Sequence, residues 1–205
     1  GAEAQAERLT RLVEDLLTVS RIQDGVLRLS MEPVDLGDLV ADAAGASGTT
    51  ERVRLESDGP ARVVCDADAI VRVLTNLLDN ARKYSPEGTP IEVGVAGDDR
   101  RITVDVGNAG GGIAPEDREA IFERFRRADR SGAPGAGLGL YISRGLVRAH
   151  GGELEAGHVP EGGTRFTFWL PVIDPGEREV SVGPSDDDAI EPAVSHITVP
   201  SLDRR

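Results

Sequence analysis

The chain has 205 residues, a formal net charge of −13 and only 3% aromatic residues, which is room for one domain of ordinary size with appendages. That charge, with no basic stripe to offset it, argues against nucleic-acid binding. One cysteine, Cys65, excludes an internal disulfide and fits a reducing, cytoplasmic setting; no run approaches the roughly 18 apolar residues of a membrane span and no signal peptide is visible, so this segment is expected to make no membrane contact.

Taken in chain order, Leu9, Leu12, Val13, Leu16 and Leu17, continued by Val19, Ile22 and Gln23, predict an amphipathic helix from about Glu3 to Gln23, with Gly25 as its C′ residue. Residues 52–55 and 62–65 read as strands around the Asp58-Gly59 turn, with Cys65 as a buried strand residue. A second helix follows, with Asp68 as its expected N-cap and Ser85-Pro86-Glu87-Gly88 as its terminating turn. Leu74, Leu77, Leu78 and Ala81 are spaced as the stripe that packs on a sheet. Asn76, Asn80, Lys83 and Tyr84 share an adjoining face and so open into one cleft.

The chemistry of that face suits a nucleotide. An asparagine carbonyl is a neutral oxygen ligand for Mg²⁺, which keeps several waters and binds phosphates. A lysine ammonium suits phosphate oxygens, and a tyrosine ring can lie along a base. Asparagine is a mediocre helix former, so two within one turn ask for a reason.

Two glycine clusters come next. Ile102, Val104 and Val106 alternate with Thr103 and Asp105 in a half-buried strand, pairing across Asp98-Asp99 with 91–95 and running into Asn108-Ala109-Gly110-Gly111-Gly112-Ile113. Gly135-Ala136-Gly137-Leu138-Gly139-Leu140 opens a further helix, carried by Ile142, Leu146 and Val147. Glycines that open a helix present free N–H groups to phosphate oxygens. This stretch lacks the lysine and Ser/Thr of a Walker A loop and does not fit the Rossmann spacing. Residues 153–156 and 164–170 complete the strands across Gly162-Gly163, with Phe166, Phe168 and Leu170 on one core-facing side.

In this order the segments resemble the catalytic ATP-binding domain of bacterial sensor histidine kinases, within the wider GHKL ATPase superfamily. Residues 76–85 resemble its N box, 108–113 its G1 box, Ile121-Phe122-Glu123-Arg124-Phe125 its F box and 135–140 its G2 box. The resemblance implies an α/β two-layer sandwich, a mixed sheet backed by three helices, preceded here by the one long amphipathic helix. It implies ATP and Mg²⁺ as cofactors, Asn80 as metal ligand with Asn76 assisting, Lys83 on phosphates and Tyr84 against adenine. Asn108, Gly110, Gly112, Ile113, Arg124, Phe125, Gly135, Gly137, Leu138, Gly139, Leu140 and Thr164 complete the expected site. A lid would run from Phe125 to Gly135, with Arg124, Arg126, Arg127 and Arg130 as a basic patch. Position 108 is usually aspartate in the family, accepting from the adenine amino group. An amide can accept or donate, so weaker base discrimination is expected, by up to about 1–3 kcal/mol.

Arg8-Leu9 through Arg21-Ile22-Gln23-Asp24-Gly25 resembles the second helix of the kinase dimerisation domain, a four-helix bundle of two hairpins. The expected organisation is therefore a partial dimerisation helix at 1–30, a catalytic domain at 31–172 and an acidic tail at 173–205, whose eight acidic and three basic residues predict disorder. The family's phosphate acceptor is a histidine on the first bundle helix. His150 reads as a last-turn helix residue where a cation suits the dipole, His158 as a turn residue before Pro160, and His196 as part of the tail; none matches an acceptor. The chain begins with glycine and its one methionine is Met31, so a fragment of a longer kinase is expected, one that binds nucleotide without phosphorylating itself. Expected partners are a histidine-bearing dimerisation helix, a response regulator and, in the parent, a second copy, with the parent possibly anchored in the cell membrane. The alternatives are a serine kinase of the anti-sigma type and a non-catalytic module that pairs with a partner helix.

Overall fold

A computed structural model describes residues 2–126, 136–159 and 162–172. The described residues fall within one compact unit, Gly1–Val172, while Ile173–Arg205 forms a second unit that lies outside them. The expected tail disorder, the arginines Arg127 and Arg130, Gly135 and His196 therefore lie outside the described residues.

Helix α1 (Ala2–Gln23) is followed by β1 (Glu32–Asp35), α2 (Leu36–Ser47), β2 (Val53–Ser57), β3 (Arg62–Cys65), α3 (Ala67–Tyr84), β4 (Ile91–Gly97), β5 (Arg101–Asn108), two 3₁₀ turns, α4 (Gly139–Ala149), β6 (Glu153–His158) and β7 (Thr164–Pro171). The main sheet has the order β2-β4-β5-β7-β6. Only β2 and β4 run parallel; the other pairs are antiparallel. The sheet is thus mixed, with helices on one side, as expected.

Register follows from side-chain alternation. Ile102 stands opposite Leu170, Val104 opposite Phe168 and Val106 opposite Phe166, and all six are buried. A slip of one residue would turn that whole set to solvent. The other face is polar: Thr167 Oγ1 donates to Asp105 there. The stripe of α3 is buried throughout, with Leu74, Leu77 and Leu78 at 0% exposure and Ala81 at 2%.

Several local expectations change. The N-cap of α3 is Asp66, whose carboxylate accepts from the Ala69 N–H at 2.9 Å. Strand β3 ends at Cys65, which leaves Asp66 as the one extended residue before the helix; Asp68 falls in the first turn, where a carboxylate still suits the dipole. Strands β2 and β3 flank the Asp58-Gly59 turn yet join different sheets, β3 pairing with β1 in a separate two-stranded ribbon. Helix α2 has a readable signal that sequence reasoning passed over: Leu36, Leu39, Val40, Ala43 and Ala44 are buried at helical spacing. Its cap Asp35 accepts from Gly37 N–H. His158 is the last residue of β6, not a turn residue.

Helix α1 ends as expected, with Gly25 at φ +66°. Its C-terminal half rests on the domain. Val19 and Thr18 are buried, Ile22 lies against Gly145 of α4, and Arg72 joins Asp15 at 2.6 Å and Thr18 Oγ1 at 3.0 Å. Its apolar stripe, Leu9, Leu12, Val13, Leu16 and Leu17, is exposed.

Candidate functional site

A cavity of about 970 Å³ opens between α3 and the start of α4. The amphipathic period of α3 turns Asn76, Asn80, Lys83 and Tyr84 towards it, because its leucine stripe is committed to the sheet. The end of β5 contributes Asn108, the following loop Gly112 and Ile113, the start of α4 Gly137, Leu138, Gly139 and Leu140, and the start of β7 Thr164. Thus the structure brings all but four of the residues expected there to one cavity.

The exceptions have physical reasons. Gly110 packs behind the wall: a Cβ there would fall 2.4 Å from the Tyr84 carbonyl oxygen, so only glycine lets the loop close on the end of α3. Arg124 turns away, its guanidinium 6.0 Å from the Tyr141 ring centre. Phe125 is 63% exposed and holds φ +62°, an outlier for a bulky residue; its N–H donates to the Gly137 carbonyl at 2.9 Å. Gly135 lies outside the described residues. Of the basic patch, Arg126 borders the cavity and pairs with Asp117 at 3.3 Å.

The site's polar groups are held by specific neighbours. Asn76 Nδ2 donates to Ser143 Oγ of α4 at 2.9 Å. Asn108 is 5% exposed, and its Nδ2 donates to the Ala109 carbonyl at 2.8 Å. A carbonyl beside it admits only the nitrogen end of an amide, so Oδ1 remains as the acceptor, the same function a carboxylate would offer. Nδ2 keeps a second N–H, so the side chain still offers both an acceptor and a donor. The Lys83 ammonium lies 4.9 Å from the Tyr84 ring centre.

The cavity's flank is braced by charge and rings. Phe122 of the second 3₁₀ turn, Ala120–Phe122, meets Phe166 edge to face at 6.4 Å, and the Arg144 guanidinium of α4 lies over its ring at 4.7 Å. Arg144 also binds Glu119 and, at 2.7 Å, Glu153. Burial opposes ionisation of Glu153, but its bonds to Arg148 and Arg144 prevail and hold the carboxyl below its ordinary range.

His150, expected in the last turn of a helix, is the C-cap of α4, and its ring is not the cation that would suit the dipole there. It is 5% exposed. Its Nε2 accepts from the Asp66 N–H at 3.0 Å, which puts the ring proton on Nδ1, 2.7 Å from the Leu146 carbonyl. Burial lowers its pKa against the opposing pulls of that carbonyl and of Asp66. It is a neutral structural strut between α3 and α4. Cys65 is fully buried as expected, its thiol pushed up to about 12 by burial and by Asp66 and Glu32.

Sequence reasoning missed several groups, Arg72 and Arg82 of α3 among them. Arg11 and Asp15 border the cavity from α1, and no local signal links that helix to α3. Thr75 and Asp79 flank the two asparagines. Ser143, at 1% exposure, sits three residues past the glycine cluster and reads as ordinary helix.

The family of histidine kinase-, DNA gyrase B-, and HSP90-like ATPases matches residues 65–174. The adaptive-response sensory kinase SasA of Trichormus variabilis is 36% identical over 179 residues, covering 83% of this chain and 45% of the relative. The signal transduction histidine-protein kinase AfsQ2 of Streptomyces coelicolor is 34% identical over 186 residues, covering 90% and 34%. The chain thus spans less than half the length of these relatives. Among solved structures, the mycobacterial sensor histidine kinase MprB is 33% identical with a TM-score of 0.59, covering 68% of this chain and 97% of that one. Full-length ShkA in complex with AMPPNP is 28% identical with a TM-score of 0.69, covering 82% and 36%.

Proposed function

The chain belongs to the family of histidine kinase-, DNA gyrase B- and HSP90-like ATPases, and we propose that its cavity binds ATP with Mg²⁺ as the catalytic region of a two-component sensor histidine kinase. One observation carries the reading: the amides of Asn76 and Asn80 and the glycine-rich start of α4 border the same cavity. The fit to Mg²⁺ is chemical. Asn76 Oδ1 has no hydrogen-bond partner among the described residues, and uncharged carbonyl oxygens beside phosphates are the donor set that cation accepts. When bound, Mg²⁺ neutralises phosphate charge that would otherwise oppose transfer.

The chain's own residues bind and orient. Asn80 ligates the metal with Asn76 beside it, Lys83 neutralises phosphate oxygens, and the unpaired N–H groups at the start of α4 cradle them. Tyr84 and the Oδ1 of Asn108 meet the adenine. The γ-phosphoryl group leaves the β-phosphate oxygen and joins a ring nitrogen of a histidine outside this chain, giving ADP and phosphohistidine. From there it passes to an aspartate of a response regulator. His150 is no acceptor, since both its ring nitrogens are engaged. The exposed stripe of α1 supports pairing with a histidine-bearing helix in a dimeric parent; its five apolar side chains are 37–64% exposed and so forgo part of the about 1.5–3 kcal/mol that full burial of each would give. Among the described residues no helix is long and apolar enough to cross a membrane.

Titration with Mg·ADP in a thermal-shift assay tests this. A ligand at about 100 times its Kd adds about 2.7 kcal/mol, so a clear rise in Tm is expected at millimolar nucleotide, and no rise would overturn the reading. With γ-labelled ATP the chain alone is expected to acquire no acid-labile label.

A further inference from the structure

Ser143 lies on α4, beyond the glycine cluster, and is sealed at 1% exposure. A polar side chain so deeply buried is normally satisfied locally, by the helix carbonyl four residues back. Here it receives Nδ2 of Asn76 from another helix, at 2.9 Å. Gly139 leaves room for that amide: a Cβ there would fall 2.2 Å from Asn76 Oδ1. The oxygen end has no partner among the described residues. The one sealed side-chain polar atom without a partner among them is Arg118 Nε, so Asn76 Oδ1 opens onto the cavity.

Resting on the nucleotide reading of the same cavity, we propose that Ser143 is a positioning residue for Asn76, holding the amide nitrogen so that its oxygen is the end offered to the metal-bearing phosphates. The physical case is one of choice between two ends. An asparagine amide rotated by half a turn keeps its shape but presents two N–H donors instead of an acceptor. Donors aimed at a divalent cation repel it, and an oxygen ligates it. The Ser143 hydroxyl accepts from Nδ2 through a lone pair, and that bond favours the arrangement in which the nitrogen end faces α4 and the oxygen end faces the cavity. Ser143 thus acts on the metal-dependent part of nucleotide affinity and has no contact of its own with the base.

The test measures ADP affinity by calorimetry, with Mg²⁺ and with EDTA, for the wild type, Ser143→Ala, Asn76→Ala and the double variant. Losing one oriented hydrogen bond corresponds to about fivefold in affinity. Ser143→Ala is expected to lower the Mg²⁺ affinity by about that factor while the EDTA affinity stays within about twofold. In the Asn76→Ala background the second substitution should add nothing. Ser143→Cys, which keeps size but weakens the acceptor, should fall between wild type and Ser143→Ala, and covers the case in which alanine disturbs folding. An equal fall with Mg²⁺ and EDTA, an unchanged Mg²⁺ affinity, or an undiminished effect without Asn76 would overturn the proposal while leaving the nucleotide reading intact. Wild-type protein that binds no ADP in either condition would remove both.

Discussion

The behaviour of single residues here is set by which partner each atom meets. His150 illustrates the sign of the effect. Its imidazole is held neutral by burial, below its ordinary 6.5, so in acid the unfolded chain takes up a proton that the native state refuses. Stability then falls as pH drops through 6.5 towards the lower native value. Melting curves between about pH 7.5 and about pH 5.5 are expected to show this slope in the wild type and a shallower one in His150→Gln; equal slopes would mean that the ring is free to protonate in place. Glu153 and Asp98, both held below the ordinary carboxylate range, the latter by the N–H groups of Arg100 and Arg101, act only at more acid pH. Asn108 shows the same dependence on partners, since the neighbouring carbonyl of Ala109 takes one of its two amide N–H groups.

At the level of elements, α3 is the member on which the site depends. Its stripe fastens it to the sheet, its N-cap joins it to α4, and its polar face forms the cavity wall. Asp66 concentrates these roles: one carboxylate oxygen caps Ala69, the other accepts from the Ser30 N–H at 2.8 Å, and its own N–H fixes His150. Loss of a cap of this kind costs about 0.5–2 kcal/mol, and Asp66→Ala is expected to cost at least that, read from the denaturation midpoint. Its nucleotide affinity should stay within about twofold, because the cavity lies at the other end of the helix. Much of this element was legible in sequence. The leucine spacing, the paired asparagines and the terminating turn were all local. The capping residue was displaced by two because two aspartates compete there, and only the end of β3 selects between them.

For the molecule as a whole, α1 is the unfinished part. Its lower half is anchored by Val19, Ile22 and the Asp15–Arg72 pair, and its upper stripe faces solvent. Substituting Leu9, Val13 and Leu17 together by glutamine is therefore expected to change folding stability by under about 0.5 kcal/mol per site, while reducing concentration-dependent association in sedimentation. A loss of about 2–5 kcal/mol at any of them would place the stripe in this chain's own core. Periodicity and motif order by themselves determined the helix faces, the strand pairs β4–β5 and β6–β7 and the main residues of the cavity, because each depends on neighbours a few positions apart or on one short turn. The partition of β2 and β3 between sheets, the approach of Arg11 and Asp15 to the site, the neutral state of His150 and the grip of Ser143 on Asn76 were decided only by tertiary structure. Each is a contact between segments distant in the chain, and such contacts leave no periodic trace in either segment.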